Sequence, residues 1–515
     1  MKSCQARVLF AQAGAALAVA ALLGGCGDNY RPVVTPIGTN GPPAQASSYT
    51  LVVSSTGSTT PGVVTFIDYS GDSILNETPI GPGPKVFTID SSGSAGYTVN
   101  SDFTLSNFAL SASLQAKNVS ESTLPNTAQP VNLLAPNFGL WATDLNGDVV
   151  DLFSGSPAAF KLAIPMATSG SAATMPVFIT GTGTNSGQRE YVVSQNVPDT
   201  APMSCNVSPT TAPTGVATPI ELSSATTDPA IPVGKCPVFG VQTPDLQRVY
   251  ILNRGDSTLS VINTRNNTPD SCVPFQNQNG NWITCHPTIQ LPAGSGPVSA
   301  EYNSVTEQLV VANYDGGTLS VVNVPLDEYG NDSNTYTNSN CTTYAACGAV
   351  TGGFGTVTTI KVGNTATPNP ASVTVLADGS KAYTANQNDD SGTGNGTVTV
   401  VNLYTYAVEK TLTVEGHPRT IINTQNSEFA KVYVASPDSP FITIIESSPT
   451  VTDQIDTTVL LEGTPVDIRS NTQTGSAGNN DYSSRVPGYG QPCNLPGIPT
   501  PTGTQTLLQA CQAIP

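Results

Sequence analysis

The chain is poor in the groups that most often carry chemistry. Its 515 residues include two histidines and only 10% charged residues. Two imidazoles, His286 and His417, leave little room for acid/base work at neutral pH and argue against a His-ligated metal or haem. No C-x-x-C or C-x-x-C-H spacing occurs, so the usual zinc and c-type haem motifs are missing and a redox role with haem or a quinone is disfavoured. Long helical periodicity is absent. Gly-rich runs such as Gly392–Gly396 lie between strand patterns, with no helix after them to receive a phosphate. No cofactor and no metal are therefore expected.

What the chain has instead is turns and repeats. Gly and Pro number 47 and 42, the composition of many short strands joined by polar turns. One pattern, a Pro-led apolar strand followed by an aromatic-centred one, recurs along most of the sequence. Its Pro is Pro84, Pro130, Pro176, Pro237, Pro297, Pro370, Pro418 and Pro465. Its second strand centres on Val52, Tyr97, Trp141, Tyr191, Tyr250, Val310, Tyr383 and Tyr433. Calling these strands A and B, each unit continues with a C strand, such as Thr258–Thr264 or Thr318–Val324, and usually a D strand. Four alternating strands per repeat read as a propeller blade. Counting either A or B strands gives eight blades, with seven as the alternative. The chain starts on a B strand and ends on an A strand, so the C-terminal strand should close the ring with the N-terminal strands.

The strands KVYVAS and TLSVINT resemble the YVTN-repeat, YncE-like β-propeller family, related to lactonase-like propellers and frequent in bacterial envelopes. The resemblance runs from Tyr49 to about Ser470 and implies an all-β fold of four-stranded antiparallel blades.

Lys2 and Arg7 precede an apolar run, Val8 to Leu23, that ends in Leu23-Gly24-Gly25-Cys26 and resembles a bacterial lipobox. The expected organisation is a signal peptide over 1–25, a lipidated Cys26 with a flexible tether over 26–48, the propeller over 49–470, and a Pro/Gly/Asn-rich tail over 471–515. Cleavage leaves 16 basic against 36 acidic residues. Such a surface repels nucleic acid and anionic lipid, so the acyl chains must hold the protein on a membrane. Gly27 after Cys26 resembles outer-membrane retention. The tether would span about 25 Å as a flexible chain.

Eight cysteines remain in loops, and neighbour pairing would give Cys205–Cys236, Cys272–Cys285, Cys341–Cys347 and Cys493–Cys511, one of 105 possible pairings. An antiparallel meander places D-to-A and B-to-C connections on one face of the ring and A-to-B and C-to-D connections on the other. The first face should therefore carry a column of B-strand ends: Ser55, Asn100, Asp144, Ser194, Asn253, Asn313, Asn386 and Ser436. Short polar side chains there cap turns, and around a channel they also make a polar ring. Asn100, Asp144, Asn253, Asn313 and Asn386, with His417 and Arg419, are the candidate ligand-facing residues of the channel mouth. Asp144–Asp148 reads as a turn around Asn146-Gly147 rather than a calcium loop. His286 belongs to the opposite face.

With no nucleophile–base pair and no metal cluster, the leading expectation is a non-catalytic envelope lipoprotein whose propeller binds another envelope protein or a small polar ligand. The alternative is a lactonase-like hydrolase acting on a sugar lactone. The tether, the tail and the inserts Arg265–His286 and Pro325–Gly355 should crowd the second face. Apart from an insertion over Pro198–Lys235, the first face is left open.

Overall fold

The computed structural model describes residues 48–471, apart from 91, 111–115, 137–138, 167–172, 182–188, 198–204, 206–207, 244–245, 247, 265–266, 271–274, 277–281, 284–286, 325–353, 390–393, 425–429 and 448–452. Cys26, the tether, His286, the C-terminal tail and six of the eight loop cysteines lie outside these residues.

Eight antiparallel sheets form an eight-bladed propeller. The A strands are Thr464–Ser470 in blade 1, then Pro84–Ile89, Pro130–Leu134, Pro176–Gly181, Pro237–Gln242, Pro297–Asn303, Pro370–Val375 and Thr420–Asn423 in blades 2 to 8. Each touches the A strand before and after it, and blade 1 joins blade 8 to blade 2, so the A strands form the inner ring. Ring closure occurs where the alternation of strands requires it. Thr464–Ser470 pairs with Tyr49–Ser55, with Val52 opposite Ile468. Tyr49 N–H donates to Asn471 Oδ1 at 2.7 Å and Asn471 N–H to the Tyr49 carbonyl at 3.1 Å. The two ends of the propeller therefore lie side by side on the second face.

A β-bulge follows the leading proline in seven inner strands, skipping Lys85, Val131, Val177, Val238, Val298, Ala371 and Val466 in the pairing with strand B. Proline contributes no N–H to a ladder, and a bulge re-aims the residue it contains. In blade 8 the residue after Pro418 is Arg419, whose N–H still bonds to the Ala435 carbonyl at 2.9 Å.

Two sets of polar contacts tie the blades together. On the second face three tyrosines of the aromatic column join their blade to the next. Tyr383 O–H donates to Asp453 at 2.6 Å, Tyr433 O–H to Asp72 at 3.4 Å and Tyr191 O–H to Asn267 at 2.8 Å, each acceptor lying after strand C of the following blade. The residue two before Tyr191, Tyr250, Tyr383 and Tyr433 is basic and crosses the same gap. Lys381 pairs with Asp453 and Lys431 with Asp72, Arg189 donates to the Thr264 carbonyl at 3.1 Å, and Arg248 lies 4.6 Å from the Phe354 ring centre. On the first face, glycines before strand A donate to the hydroxyls of the next blade: Gly81 to Ser106 at 3.0 Å, Gly234 to Ser260 at 3.3 Å and Gly363 to Thr399 at 2.9 Å. A Cβ on Gly81 would sit 2.1 Å from Asn100 Nδ2, so only a bare Cα fits that approach.

Blade 4 departs from the sequence reading. The segment Pro198–Lys235 is not one insertion, because Thr214–Glu221 is strand C, and Thr226–Thr227 with Ile231–Lys235 make a broken strand D. TGVATPIE lacks the alternation of the other C strands, which hid it. Cys205 and Cys236 form the expected disulfide, with Cα atoms 5.4 Å apart.

Candidate functional site

The Asn column forms a set of internal clips. Asn100 Nδ2 donates to Thr104 and Ser106, Asn253 to Thr258 and Ser260, Asn313 to Thr318 and Ser320, and Asn386 to Thr397 and Thr399, all between 2.8 and 3.0 Å. The amide lies opposite the first hydroxyl residue of strand C and reaches the third, and all four asparagines are buried. The amide donors of Asn100, Asn253, Asn313 and Asn386 are thus used within their own blades.

In blade 3 the same slot holds two carboxylates. Asp144 lies opposite Val149, so Asp151 takes the place of the third-position serine or threonine. Both are buried. Asp144 Oδ1 accepts from the N–H groups of Gln129 at 2.7 Å and Asn146 at 2.8 Å. Burial, then the Asp144 charge beside it, push Asp151 up to about 7; Asp144 is also raised by burial, against its backbone hydrogen bonds. Like its asparagine counterparts, Asp144 faces into its blade. The hairpin after it is a four-residue turn, Leu145–Asp148, with positive φ at Gly147 and Asp148, rather than a two-residue Asn146-Gly147 turn. Its cause is the Asp144 carboxylate, which takes the Asn146 N–H. Among the described residues no three His, Cys, Asp or Glu side chains are placed to hold a metal ion.

One residue beyond the column lie Gln195, Arg254, Tyr314 and Gln387, all buried. These turn residues lean over the inner ring. Tyr314 packs on Val298 and Ala371, bulge residues of blades 6 and 7, and its O–H donates to Gln387 Oε1 at 3.3 Å. Burial pushes Tyr314 up to about 12, with the Arg254 and Arg419 charges opposing. Arg254 grips Asp315 with two hydrogen bonds, at 3.0 and 2.9 Å. Gly296 lets that carboxylate approach, since a Cβ there would meet Asp315 Oδ2 at 1.9 Å and its φ is +57°. Gln195 Nε2 donates to the Pro237 carbonyl at 3.1 Å. Among the described residues Gln387 Nε2 and Gln195 Oε1, both buried, meet no hydrogen-bond partner.

His417 and Arg419 flank Pro418 at the entry to the inner strand of blade 8, and Arg419 interacts with Tyr314. His417 Nδ1 bonds to Asp438 Oδ2, and the His417 N–H donates to Asp438 Oδ1 at 2.8 Å. Burial opposes ionisation of Asp438, but the bonds from His417 hold its carboxyl below its usual range. Arg419 is enclosed, and burial lowers it to about 10, with Asp467 and Tyr314 acting in the other direction. Asp467 and Arg469, two residues apart on the closing strand, are fully buried and joined at 3.2 Å. The sequence reading missed Tyr314, Gln387, Asp438 and Asp467. The first three follow strand B in their blades, and the meander already assigned those turns to the first face.

No family model matches the chain, and no curated protein resembles it significantly in sequence. Among solved structures it is similar to apo AztD from Citrobacter koseri, at 14% identity and a TM-score of 0.51, over 82% of this chain and 98% of that one. The dihydro-heme d1 dehydrogenase NirN matches at 11% identity and a TM-score of 0.53, over 84% of this chain and 76% of its own. A periplasmic gluconolactonase, PpgL of Pseudomonas aeruginosa, matches at 13% identity and a TM-score of 0.45, over 82% and 98%. At these identities the first two likenesses establish a shared propeller fold and nothing finer.

Proposed function

We propose that this chain is an envelope lipoprotein whose propeller binds a small polar ligand at the first-face mouth of its ring. The observation that carries the reading is the meeting of Tyr314, Gln387 and Arg419 from blades 6, 7 and 8 over the inner strands, with the buried Gln387 Nε2 unspent. Gln387 Nε2 is a donor that a ligand at this mouth could engage. A hydrolytic reading is favoured by one observation, the His417–Asp438 pair, in which a carboxylate orients an imidazole as it would a general base.

One experiment separates the two. The full chain is titrated with a panel of sugar lactones and the matching open acids, while heat and acid release are followed. Binding that Gln387→Ala weakens, with no turnover, is the expected result. Turnover abolished by His417→Ala would replace the binding reading with the hydrolytic one, and no binding by any member would remove this ligand class.

The anchor is argued from Leu23-Gly24-Gly25-Cys26 and places the protein at the cell envelope, on the outer membrane of a two-membrane cell. Labelling with a clickable palmitate analogue should mark the parent chain and leave Cys26→Ser unmarked. Equal labelling of both would refute lipidation at this cysteine.

A further inference from the structure

The geometry points to the second-face rim of blades 7, 8 and 1 as a surface that rests on a lipid bilayer, with Val408, Ile455, Ile74 and Leu75 entering its headgroup region. The inference rests on the lipid anchor proposed at Cys26.

Among the described residues eight large apolar side chains are exposed, and these four, each 38–42% exposed, are half of them. They open the outer strands Ala407–Thr413, Gln454–Leu460 and Ile74–Pro82 of three consecutive blades. Strand D starts after the C-to-D turn, which puts all four on the second face. A β-bulge at each start skips Glu409, Asp456 and Leu75 in the pairing with strand C, and a bulge re-aims the side chains beside it. Phe160 repeats the position in blade 3, outside this arc.

Contacts between the blades make the arc continuous. Lys410 Nζ donates to the Asp453 carbonyl at 2.6 Å, which joins the strand starts that carry Val408 and Ile455. Lys431 pairs with Asp456, directly after Ile455, and with Asp72, two before Ile74. The tether enters at the same place. The Tyr69 N–H donates to the Ser48 carbonyl at 3.4 Å, and the adjacent Asp68 N–H donates at 3.0 Å to the carbonyl of Ser73, which directly precedes Ile74. Cys26 lies 22 positions before Ser48, a length that spans about 25 Å as a flexible chain. Acyl chains at Cys26 therefore hold this rim, and not the first face, within reach of the bilayer. The four side chains project from the outermost strands, which suits a flat lipid surface. The acids among them are matched, Glu409 and Asp453 by Lys381, and Asp72 and Asp456 by Lys431. An apolar strip with balanced charges fits zwitterionic headgroups, whereas a formal net charge of −18 disfavours anionic ones.

The test uses the lipidated full chain on phosphatidylcholine vesicles, plain or brominated in their acyl chains. Flotation of the parent, weakened in Cys26→Ser, reads the anchor on its own. In Ile74→Trp, Val408→Trp and Ile455→Trp the added emission should shift to the blue on vesicles and be quenched by the brominated lipid. Phe103→Trp, in the B-to-C turn of blade 2 on the first face, should show neither change. All four sites are exposed, so none of these variants empties or crowds the core. Quenching at none of the rim sites in a chain that floats, or equal quenching at Phe103→Trp, would overturn the inference and leave the anchor standing. A parent that fails to float would remove the anchor and this inference with it. Rim emission already blue-shifted before lipid is added would show that the tail or a second copy covers the strip, which also overturns the inference.

Discussion

At about pH 8, Asp151→Asn should be more stable than the parent chain, on the order of 2–4 kcal/mol, and near pH 4 the advantage should vanish. Asp151 lies beside Asp144 in the slot where other blades place a hydroxyl against an asparagine. Burial first, and the neighbouring charge second, raise it to about 7 from an ordinary value of 3.8. A carboxyl with a raised folded pKa binds its proton more tightly in the folded chain. Its contribution is complete below about pH 4 and is lost as pH climbs to about 7. A difference of about three pH units corresponds to roughly 4 kcal/mol at full ionisation. Asparagine is nearly isosteric and supplies a permanent donor to Asp144 in place of the shared proton. Asp72, raised to about 6 chiefly by burial, acts in the same direction, so the variant should flatten the pH profile without levelling it. Urea midpoints measured across this range would decide the matter. A parent chain that gains stability between pH 5 and 8, or a variant that tracks it at every pH, would contradict the proton-sharing account.

How much of this was readable in the sequence depends on how local the signal is. The prolines, the Tyr and Trp column and the B-strand ends sit at nearly fixed intervals, so blade number, closure and the two faces could be read without coordinates. The Asn column was visible, but its role was not, because the hydroxyls that hold Asn253 and Asn313 belong to strand C, whose Thr-Leu-Ser had been read only as alternation. The basic residue two before Tyr191, Tyr250, Tyr383 and Tyr433 also carries a signal. Its meaning needs the next blade, since Lys431 meets Asp72 across 359 positions of sequence. His417 and Arg419 were found because they flank a leading proline. Asp438, Tyr314 and Gln387 were missed because the column was read at its last strand residue, one or two positions short of the turns that reach the inner ring. Blade 4 failed for a different reason: strand C there carries Pro219 and no Thr-x-Ser pattern, leaving the Cys205–Cys236 bridge as the clearest mark of its place.

Ring closure should be the most sensitive point of the fold, and two truncations isolate it. A chain ending at Asn471 keeps the closing strand, whereas one ending at Gly463 removes Thr464–Ser470 and leaves Tyr49–Ser55 as an open inner edge. That strand supplies six paired positions to Tyr49–Ser55, from Thr50–Ser470 to Ser55–Thr464. Its Ile468 is fully buried with Val52, Tyr433 and Ile444, a cluster that spans blades 8 and 1. Emptying the Ile468 site alone should cost about 2–5 kcal/mol, a large part of the roughly 5–15 kcal/mol that holds a typical domain together. The loss also strips the inner strands of blades 8 and 2 of the neighbour between them and exposes a row of unpaired backbone groups that invites edge-to-edge association. The chain ending at Asn471 should melt in one transition close to that of the full chain. The chain ending at Gly463 should lose that transition and elute as aggregate, and a peptide spanning 464–471 added during refolding should restore monomer. Equal melting of the two truncations would mean that blade 1 stands without its inner strand, and the closure inferred from the chain's unmatched first and last strands would not be what holds the ring.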